Sequence, residues 1–169
     1  MRSSSLGKMV CTTARAVDVV GDPWTLMILK ELFMGGRKFE HFQAFTGISP
    51  HLLSVRVKKL EQAGVVARRP YQKRPLRYEY LLTEKGIDLF PVIIAFKNWS
   101  ERWIDWPDGP PVELRHRHCG HSTSPKLVCS HCEMPINARE VDYSISRAMS
   151  EERDTMRKAF SERKLRSPR

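Results

Sequence analysis

The segment from Ile48 to Gly64 constrains the fold most, because it contains the signals for both ends of one helix. Ser49 is typical of an N-cap, where its hydroxyl accepts a hydrogen bond from a free backbone N–H. Pro50 suits the first helical position, where its missing N–H costs nothing. Gly64 suits the left-handed residue that often follows a helix. These signals predict a helix of about three and a half turns.

This predicted helix has two unlike faces. Leu53, Val57 and Leu60 follow the i, i+4, i+7 spacing and form one apolar stripe. The opposite face is free of acidic residues and is flanked by basic ones; it comprises His51, Ser54, Val55, Lys58 and Gln62, with Arg56 and Lys59 beside it. Such a face suits a DNA major groove. Taken alone, the pattern fits an ordinary amphipathic surface helix better, so the neighbouring segments decide.

The segment before this helix completes a familiar motif. Asp22-Pro23 begins an almost wholly apolar helix, which Gly35-Gly36 ends. A two-turn helix from Phe39 to Phe45 follows, and Thr46-Gly47-Ile48 forms a tight turn. A helix, a turn that contains glycine and a second, capped helix predict a helix-turn-helix.

After Gly64 the pattern changes to that of a hairpin. The runs 65–69 and 77–82 are rich in β-branched and aromatic residues, and 70–75 is predicted as the loop between them. Against one acidic residue, Glu79, the hairpin has five basic ones: Arg68, Arg69, Lys73, Arg74 and Arg77. A basic hairpin directly after a recognition helix predicts a wing that contacts phosphates or the minor groove. A merely solvated hairpin is the alternative.

Thr83 is predicted to cap a long helix that spans 84–105 and bends at Pro91. Its apolar residues recur at three- and four-residue steps and exceed what one small core can cover. We therefore expect a two-fold homodimer. Its interface is predicted to contain Ile93, Phe96, Trp99 and Trp103.

The charge of the chain favours a nucleic-acid partner. With 29 Lys and Arg against 19 Asp and Glu, the net charge is +10. No apolar run approaches the roughly 20 residues of a membrane span, and the N-terminus lacks the apolar stretch of a signal peptide. We therefore expect a cytoplasmic protein without a membrane partner. In that reducing compartment the four cysteines are predicted to be metal ligands or redox thiols rather than disulfides.

Cys11 lies at the start of a short predicted helix, 10–20. A buried and inert cysteine is one interpretation of this position. A thiol activated by the helix N-terminus, and hence able to respond to oxidants, is the other.

The C-terminal part contains a cluster of cysteine and histidine beyond a stiff linker, 106–111. His116, Cys119, Cys129 and Cys132 have the spacing of two knuckles, which predicts a tetrahedral, structural Zn²⁺ site. His118 or His121 are alternatives for the nitrogen ligand, and a knuckle that has lost its metal remains a further possibility. A catalytic zinc is disfavoured, because the deaminase-type pattern is missing.

The chain is thus divided into a winged helix-turn-helix with a dimerisation helix (1–106), a metal-knuckle extension (107–143) and a charged tail (144–169). The tail has few apolar residues and is predicted to be a frayed helix or disordered. No internal repeat is evident from the sequence.

Residues 11–103 resemble the HxlR-type, MarR-like winged helix-turn-helix regulators. The matching pieces are Cys11, Val17–Gly21 with Trp24, Phe39, Gly47-Ile48-Ser49, Arg56–Glu61 with Gly64, Tyr71, Tyr78-Glu79-Tyr80 with Leu82-Thr83, Gly86, Pro91-Val92 and Trp99. The resemblance implies a dimeric, cytoplasmic, DNA-binding transcriptional regulator, and it places Cys11 where the family has thiol-based sensors. His51, Val55 and Arg74-Pro75-Leu76 depart from the family pattern, so a family operator does not transfer.

These observations predict a mainly α fold with a small β-hairpin wing. The predicted function is that of a sequence-specific regulator of transcription that binds double-stranded DNA as a homodimer, responds to redox state or a ligand, and is not an enzyme. The predicted DNA contacts are Ser49, Pro50, His51, Ser54, Val55, Arg56, Lys58, Lys59 and the five basic residues of the wing. The alternative is a zinc-ribbon module that binds RNA or docks on a protein, which need not bind duplex DNA.

Overall fold

The computed structural model describes residues 5–166 and is mainly helical. A short 3₁₀ turn, Ser5–Lys8, precedes the first helix. The elements are then α1 (Thr12–Val20), α2 (Pro23–Phe33), α3 (Phe39–Thr46), α4 (Pro50–Gln62), β1 (Val66–Lys73), β2 (Leu76–Leu82), α5 (Glu84–Ile87), α6 (Phe90–Trp103) and α7 (Arg147–Arg166). This order is that of a winged helix-turn-helix followed by an extension.

The predicted helix ends are confirmed. The Asp22 carboxylate accepts a hydrogen bond from the Thr25 backbone N–H at 3.1 Å and caps α2. Ser49 Oγ accepts one from the Leu52 N–H at 3.4 Å and caps α4. Gly64 follows α4 with φ +68°, a backbone conformation that residues with a Cβ rarely adopt.

The core lies where α2, α3 and α4 meet the base of the hairpin. The apolar stripe predicted for α4 is buried there, since Leu53 and Leu60 have no exposed surface and Val57 is only 4% exposed. Residues of the other elements complete this core, namely Val20, Ile28, Leu29, Leu32, Phe42, Ile48, Val65 and Val66. Burial of this stripe fixes which face of α4 remains outside.

The hairpin differs from its predicted form, because the strands continue almost to its tip. Residues 70–73, expected in the loop, belong to β1, and the antiparallel pairing runs from Val66↔Leu82 to Lys73↔Leu76. An irregularity in register between Pro70 and Gln72 explains how the strand accommodates a proline. The segment before α3 also pairs with β2, since the Tyr80 N–H donates to the Arg37 carbonyl at 2.7 Å.

The long helix predicted for 84–105 is wrong, because it is divided into α5 and α6. Pro91 is the reason: its ring would clash with the carbonyl of Ile87, and it suits the first turn of a new helix, where the structure places it. Gly86, in α5 before this break, packs closely against the backbone of Val65. A Cβ at this position would lie 2.2 Å from the Val65 carbonyl oxygen, which is too close for any larger residue. Ile94 of α6 is buried.

The extension contains two short turns closed by the isolated bridges Arg115↔Ser122 and Val128↔Pro135. The expected tail forms the 20-residue helix α7 within the described chain, and its last residues, 167–169, lie outside the described residues. Among the described helices, none is long and apolar enough to cross a membrane.

Candidate nucleic-acid interface and flanking sites

The outer face of α4 is open to solvent as its sequence predicts. Its exposed residues are Ser49, Pro50, His51, Ser54, Val55, Lys58 and Gln62. Burial of the opposite stripe holds this face outward, and the face contains hydrogen-bonding groups, an apolar side chain and a cation but no acidic residue. It can therefore present both donors and an apolar contact to a ligand in a groove.

Arg56 forms an ion pair within the protein and is largely buried. Its Nη2 lies 2.7 Å from Asp22 Oδ2, and its side chain is only 13% exposed. The same Asp22 caps α2, so one carboxylate connects the start of α2 to the middle of α4. Lys59 is likewise engaged within the protein, because its Nζ donates to the Asp18 carbonyl of α1. In this structure these two side chains help to hold α4 in place, and their role as DNA contacts stays a prediction.

The base of the wing is neutralised in part. Arg68 Nε lies 3.0 Å from Glu61 of α4, and its guanidinium stacks over the Tyr78 ring at 4.8 Å. Arg69 lies 2.6 Å from Glu79 across the hairpin. Both guanidinium groups are still more than half exposed. They can exchange these surface partners for a phosphate at small cost.

The tip of the wing is more open. Lys73, Arg74 and Arg77 are exposed around the turn that joins β1 to β2. Lys38, which the sequence reasoning missed, lies beside the wing with its Nζ 4.7 Å from the centre of the Tyr71 ring. No local pattern indicates this position, because it depends on pairing between the segment before α3 and β2.

Tyr80 connects the wing to the core. Its ring packs against Phe42, with the ring centres 6.1 Å apart. Burial raises the pKa of Tyr80 above its ordinary value of 10.0, and the nearby Glu61 carboxylate raises it further while Arg68 lowers it. The neutral phenol therefore favours the folded wing.

A second exposed feature is an apolar stripe on α6. Phe96, Trp99 and Trp103 are 57%, 60% and 66% exposed, and Val92 continues the stripe at the same helical spacing. Ile93, the fourth residue expected at an interface, packs instead against the core. Exposed aromatic residues at i, i+3, i+7 spacing form a contiguous patch of the kind found at protein interfaces.

Cys11 immediately precedes α1 in an extended conformation and is half-exposed. The neighbouring Val10 N–H donates to both carboxylate oxygens of Glu152 on α7, at 3.0 and 3.2 Å. Cys11 is thus partly exposed and adjacent in sequence to a contact between the two ends of the described chain.

The cysteine and histidine residues of the extension form two separate pairs. His116 Nδ1 lies 3.3 Å from Cys119 Sγ in the first turn. In the second turn, backbone N–H groups of Cys132 and His131 and the Cys132 side chain hold the pKa of Cys129 below its ordinary value. Within residues 5–166, no three His, Cys, Asp or Glu side chains are grouped so that they could share a metal ion. The structure thus places the four predicted ligands in two pairs without joining the pairs.

Comparison with known proteins agrees with this arrangement of helices and wing. The model of the HxlR-like helix-turn-helix family matches residues 19–108. The chain belongs to the HxlR-like helix-turn-helix family.

Two relatives of this HxlR-type protein are similar to it over most of their own length. An uncharacterised HTH-type transcriptional regulator of Mycobacterium tuberculosis, Rv3095, is 42% identical over 130 residues, which cover 77% of this chain and 82% of the relative. YvaP of Bacillus subtilis, also an uncharacterised HTH-type transcriptional regulator, is 37% identical over 92 residues, or 54% of this chain and 85% of the relative.

Two solved structures are informative as well. PA1607, described as an inferred transcription factor, has a TM-score of 0.74 at 30% identity, and the match covers 85% of this chain and 100% of PA1607. The redox regulator HypR in its oxidised form has a TM-score of 0.53 at 30% identity, covering 57% of this chain and 100% of HypR. The match to PA1607 includes more of the chain than residues 1–106, so the similarity reaches into the extension.

Proposed function

We propose that this HxlR-type protein is a transcriptional regulator that binds specific double-stranded DNA as a homodimer in the cytoplasm. The observation that supports the proposal most is the exposed, acid-free face of α4 beside a basic wing. The names of the relatives, which are transcriptional regulators rather than enzymes, support it too.

In this proposal α4 enters the major groove and its outer residues read base edges. His51 and Ser54 are the hydrogen-bonding groups in its first turns. Val55 supplies an apolar contact of the kind that suits a thymine methyl group. Arg56 and Lys59 keep α4 in register with α2 and α1 through their contacts within the protein.

The wing contributes affinity rather than sequence preference. Lys73, Arg74 and Arg77 supply phosphate contacts at the tip, since they are exposed. Arg68 and Arg69 add weaker contacts, because each must first leave or share a carboxylate.

Dimerisation through the α6 stripe would give two copies of α4 a fixed separation. A helix-turn-helix dimer reads two half-sites about one helical turn apart, so a two-fold related operator is expected. Burial of three exposed aromatic residues in each protomer supplies the driving force.

The test begins with selection of genomic fragments by the purified protein, followed by affinity measurements on the selected duplex over a range of salt. The variant Arg74→Ala/Arg77→Ala should weaken binding to every sequence and lower the salt slope by about two, one for each lost phosphate contact. The variant His51→Ala should mainly reduce discrimination between operator and unrelated duplex, by about 1–3 kcal/mol.

A matched control removes the same charge elsewhere. Lys126→Ala/Arg139→Ala changes two exposed basic residues of the extension and should leave the salt slope unchanged. An equal loss of slope in both double variants would contradict a specific role for the wing. Tighter binding to RNA of the selected sequence than to the duplex would favour the RNA-binding alternative.

Regulation through Cys11 is part of the proposal. Cys11 is a half-exposed residue just before α1, and the similar protein HypR is named a redox regulator. Peroxide or diamide should change operator affinity in the wild type and leave Cys11→Ser unaffected. The same response in both proteins would exclude Cys11 as the sensor.

A further inference from the structure

The extension contains one structural unit twice, with an offset of thirteen residues. In the first copy the Thr123 N–H donates to Leu114, the His116 N–H to His121 and the Gly120 N–H to His116, at 2.7–2.9 Å. In the second copy the Ile136 N–H donates to Leu127, the Cys129 N–H to Met134 and the Glu133 N–H to Cys129, at 2.9–3.0 Å. The bridges that close the two turns obey the same offset.

The backbone conformation repeats as well. Gly120 has φ +73° and Glu133, thirteen residues later, has φ +60°. Glu133 is the non-glycine residue with a positive φ among the described residues. A side chain at such a position is strained. The second turn therefore adopts the shape of the first even where its sequence opposes that shape.

The repeat places potential metal ligands at equivalent positions of the two turns. His116 aligns with Cys129, and Cys119 aligns with Cys132, so each turn presents two potential metal ligands three residues apart. His118 aligns with His131 between the ligand positions. The repeat thus distinguishes His116, which occupies a ligand position, from His118 and His121, which do not.

The distance within the first pair fits one edge of a tetrahedral zinc site. With a Zn–N bond of about 2.0–2.1 Å and a Zn–S bond of about 2.3 Å, the two ligand atoms should lie about 3.5 Å apart. His116 Nδ1 and Cys119 Sγ are 3.3 Å apart.

No hydrophobic core explains why these turns are ordered. From residue 112 to residue 136, all side chains are exposed except those of Leu114, Cys129 and Ile136, which are only half-buried. A segment of this size that lacks a core commonly obtains its stability from a metal ion.

We propose that the two turns are the halves of one structural zinc site. His116, Cys119, Cys129 and Cys132 bind a single Zn²⁺, and the ion draws the two pairs, which are separate in this structure, onto one centre. Nine residues connect Cys119 to Cys129, enough to let one turn move onto the other. Arg115 and Arg117 flank His116 in the sequence, and their positive charges offset the excess negative charge of three thiolates on a divalent ion.

The site would organise the extension beside the dimerisation helix. Asn98 of α6 donates from Nδ2 to the Pro125 carbonyl, at 3.0 Å, in the loop between the two turns. Asn98 directly precedes Trp99, which belongs to the exposed stripe of α6. The proposal does not depend on DNA binding, which the winged helix provides by separate residues.

The test uses the full chain, purified with reductant and without chelator from cells grown with zinc. Elemental analysis should find about one zinc per chain. Cys119→Ser, Cys129→Ser and Cys132→Ser should each weaken zinc binding at least 100-fold in competition with a chromophoric chelator, because loss of second-shell partners alone costs about 10- to 100-fold. Limited proteolysis should cut within 112–136 only after the metal is removed, while binding to the selected duplex continues.

The controls are the two histidines that occupy the equivalent non-ligand positions. His118→Ala and His131→Ala should keep wild-type zinc affinity, whereas His116→Ala should weaken it. Loss of zinc in His118→Ala with retention in His116→Ala would overturn the ligand assignment. Less than about 0.2 zinc per chain in the freshly purified protein, with three freely reactive thiols at these positions and residues 112–136 still resistant to protease, would overturn the site itself.

Discussion

Truncation of Trp99 tests the association of two protomers most directly. The side chain is 60% exposed, and since a tryptophan offers up to about 250 Å² of surface, about 150 Å² of it is available to a partner. At about 25 cal/mol per Å² this area is equivalent to about 4 kcal/mol, of which the alanine methyl group retains about 1 kcal/mol. A two-fold interface contains the residue twice, so Trp99→Ala should cost about 6 kcal/mol per dimer.

This loss corresponds to an increase of about four orders of magnitude in the dimer dissociation constant. Sedimentation velocity at protein concentrations from about 0.1 to 50 µM should show a dimer for the wild type and a monomer for Trp99→Ala. Operator affinity should fall in parallel, because one protomer contacts only one half-site. The circular dichroism spectrum should be unchanged, since the side chain is outside the core.

Tyr143→Ala is the matched control, because Tyr143 is an aromatic residue that is 83% exposed but belongs to the extension and not to α6. Its dissociation constant should equal that of the wild type. A wild-type protein that sediments as a monomer at 50 µM, or a Trp99→Ala protein that dimerises normally, would refute the assignment of the interface to this stripe.

Three further predictions concern stability and the turns of the extension. Asp22→Ala should lower the free energy of unfolding by about 2–4 kcal/mol in urea titrations, because it removes the α2 cap and leaves the largely buried Arg56 without its carboxylate; a loss below about 1 kcal/mol would contradict this role. The pKa of Tyr80 is raised in the folded protein, so the neutral phenol stabilises the folded state. This stabilisation is complete below pH 10 and is lost as the pH rises through the raised pKa. Tyr80→Phe should therefore flatten the decline of stability above pH 10, and an unchanged pH profile would contradict this role of the phenol. Glu133→Gly relieves the positive φ and should raise zinc affinity about fivefold, equivalent to about 1 kcal/mol, while an unchanged affinity would argue against strain at this turn.

The local elements of the winged helix were predictable because their signals are short in sequence. Ser49 and Asp22 cap helices through side-chain hydrogen bonds to residues three positions away, and Gly64 supplies a positive φ by its own chemistry. The apolar stripe of α4 follows from the helical period alone. Each of these features depends on fewer than a dozen neighbouring residues, so a short segment of sequence is sufficient to predict it.

The features that were not predicted all depend on residues far apart in the chain. Arg56 pairs with Asp22 and Lys59 with the Asp18 carbonyl only because α4 packs on α1 and α2. The hairpin strands continue to the tip because antiparallel pairing outweighs the local turn preference of Pro70.

At Pro91 the local sequence predicted part of the structure, and contacts between distant segments decided the rest. The sequence indicated a disturbance of the helix at this position, and the structure shows a complete break into α5 and α6 with Ile94 turned into the core. The repeat in the extension was not recognised from the sequence either, because it consists mainly of backbone hydrogen bonds and only three aligned residue pairs are identical, Leu114 with Leu127, His118 with His131 and Cys119 with Cys132. The sequence by itself thus determined the helices, their caps and the basic wing, since these follow from local hydrogen bonding and periodicity. Which side chains face a ligand and which hold the fold together was decided by tertiary packing, because the burial and charge partners of a side chain are set by segments that meet only in the folded chain.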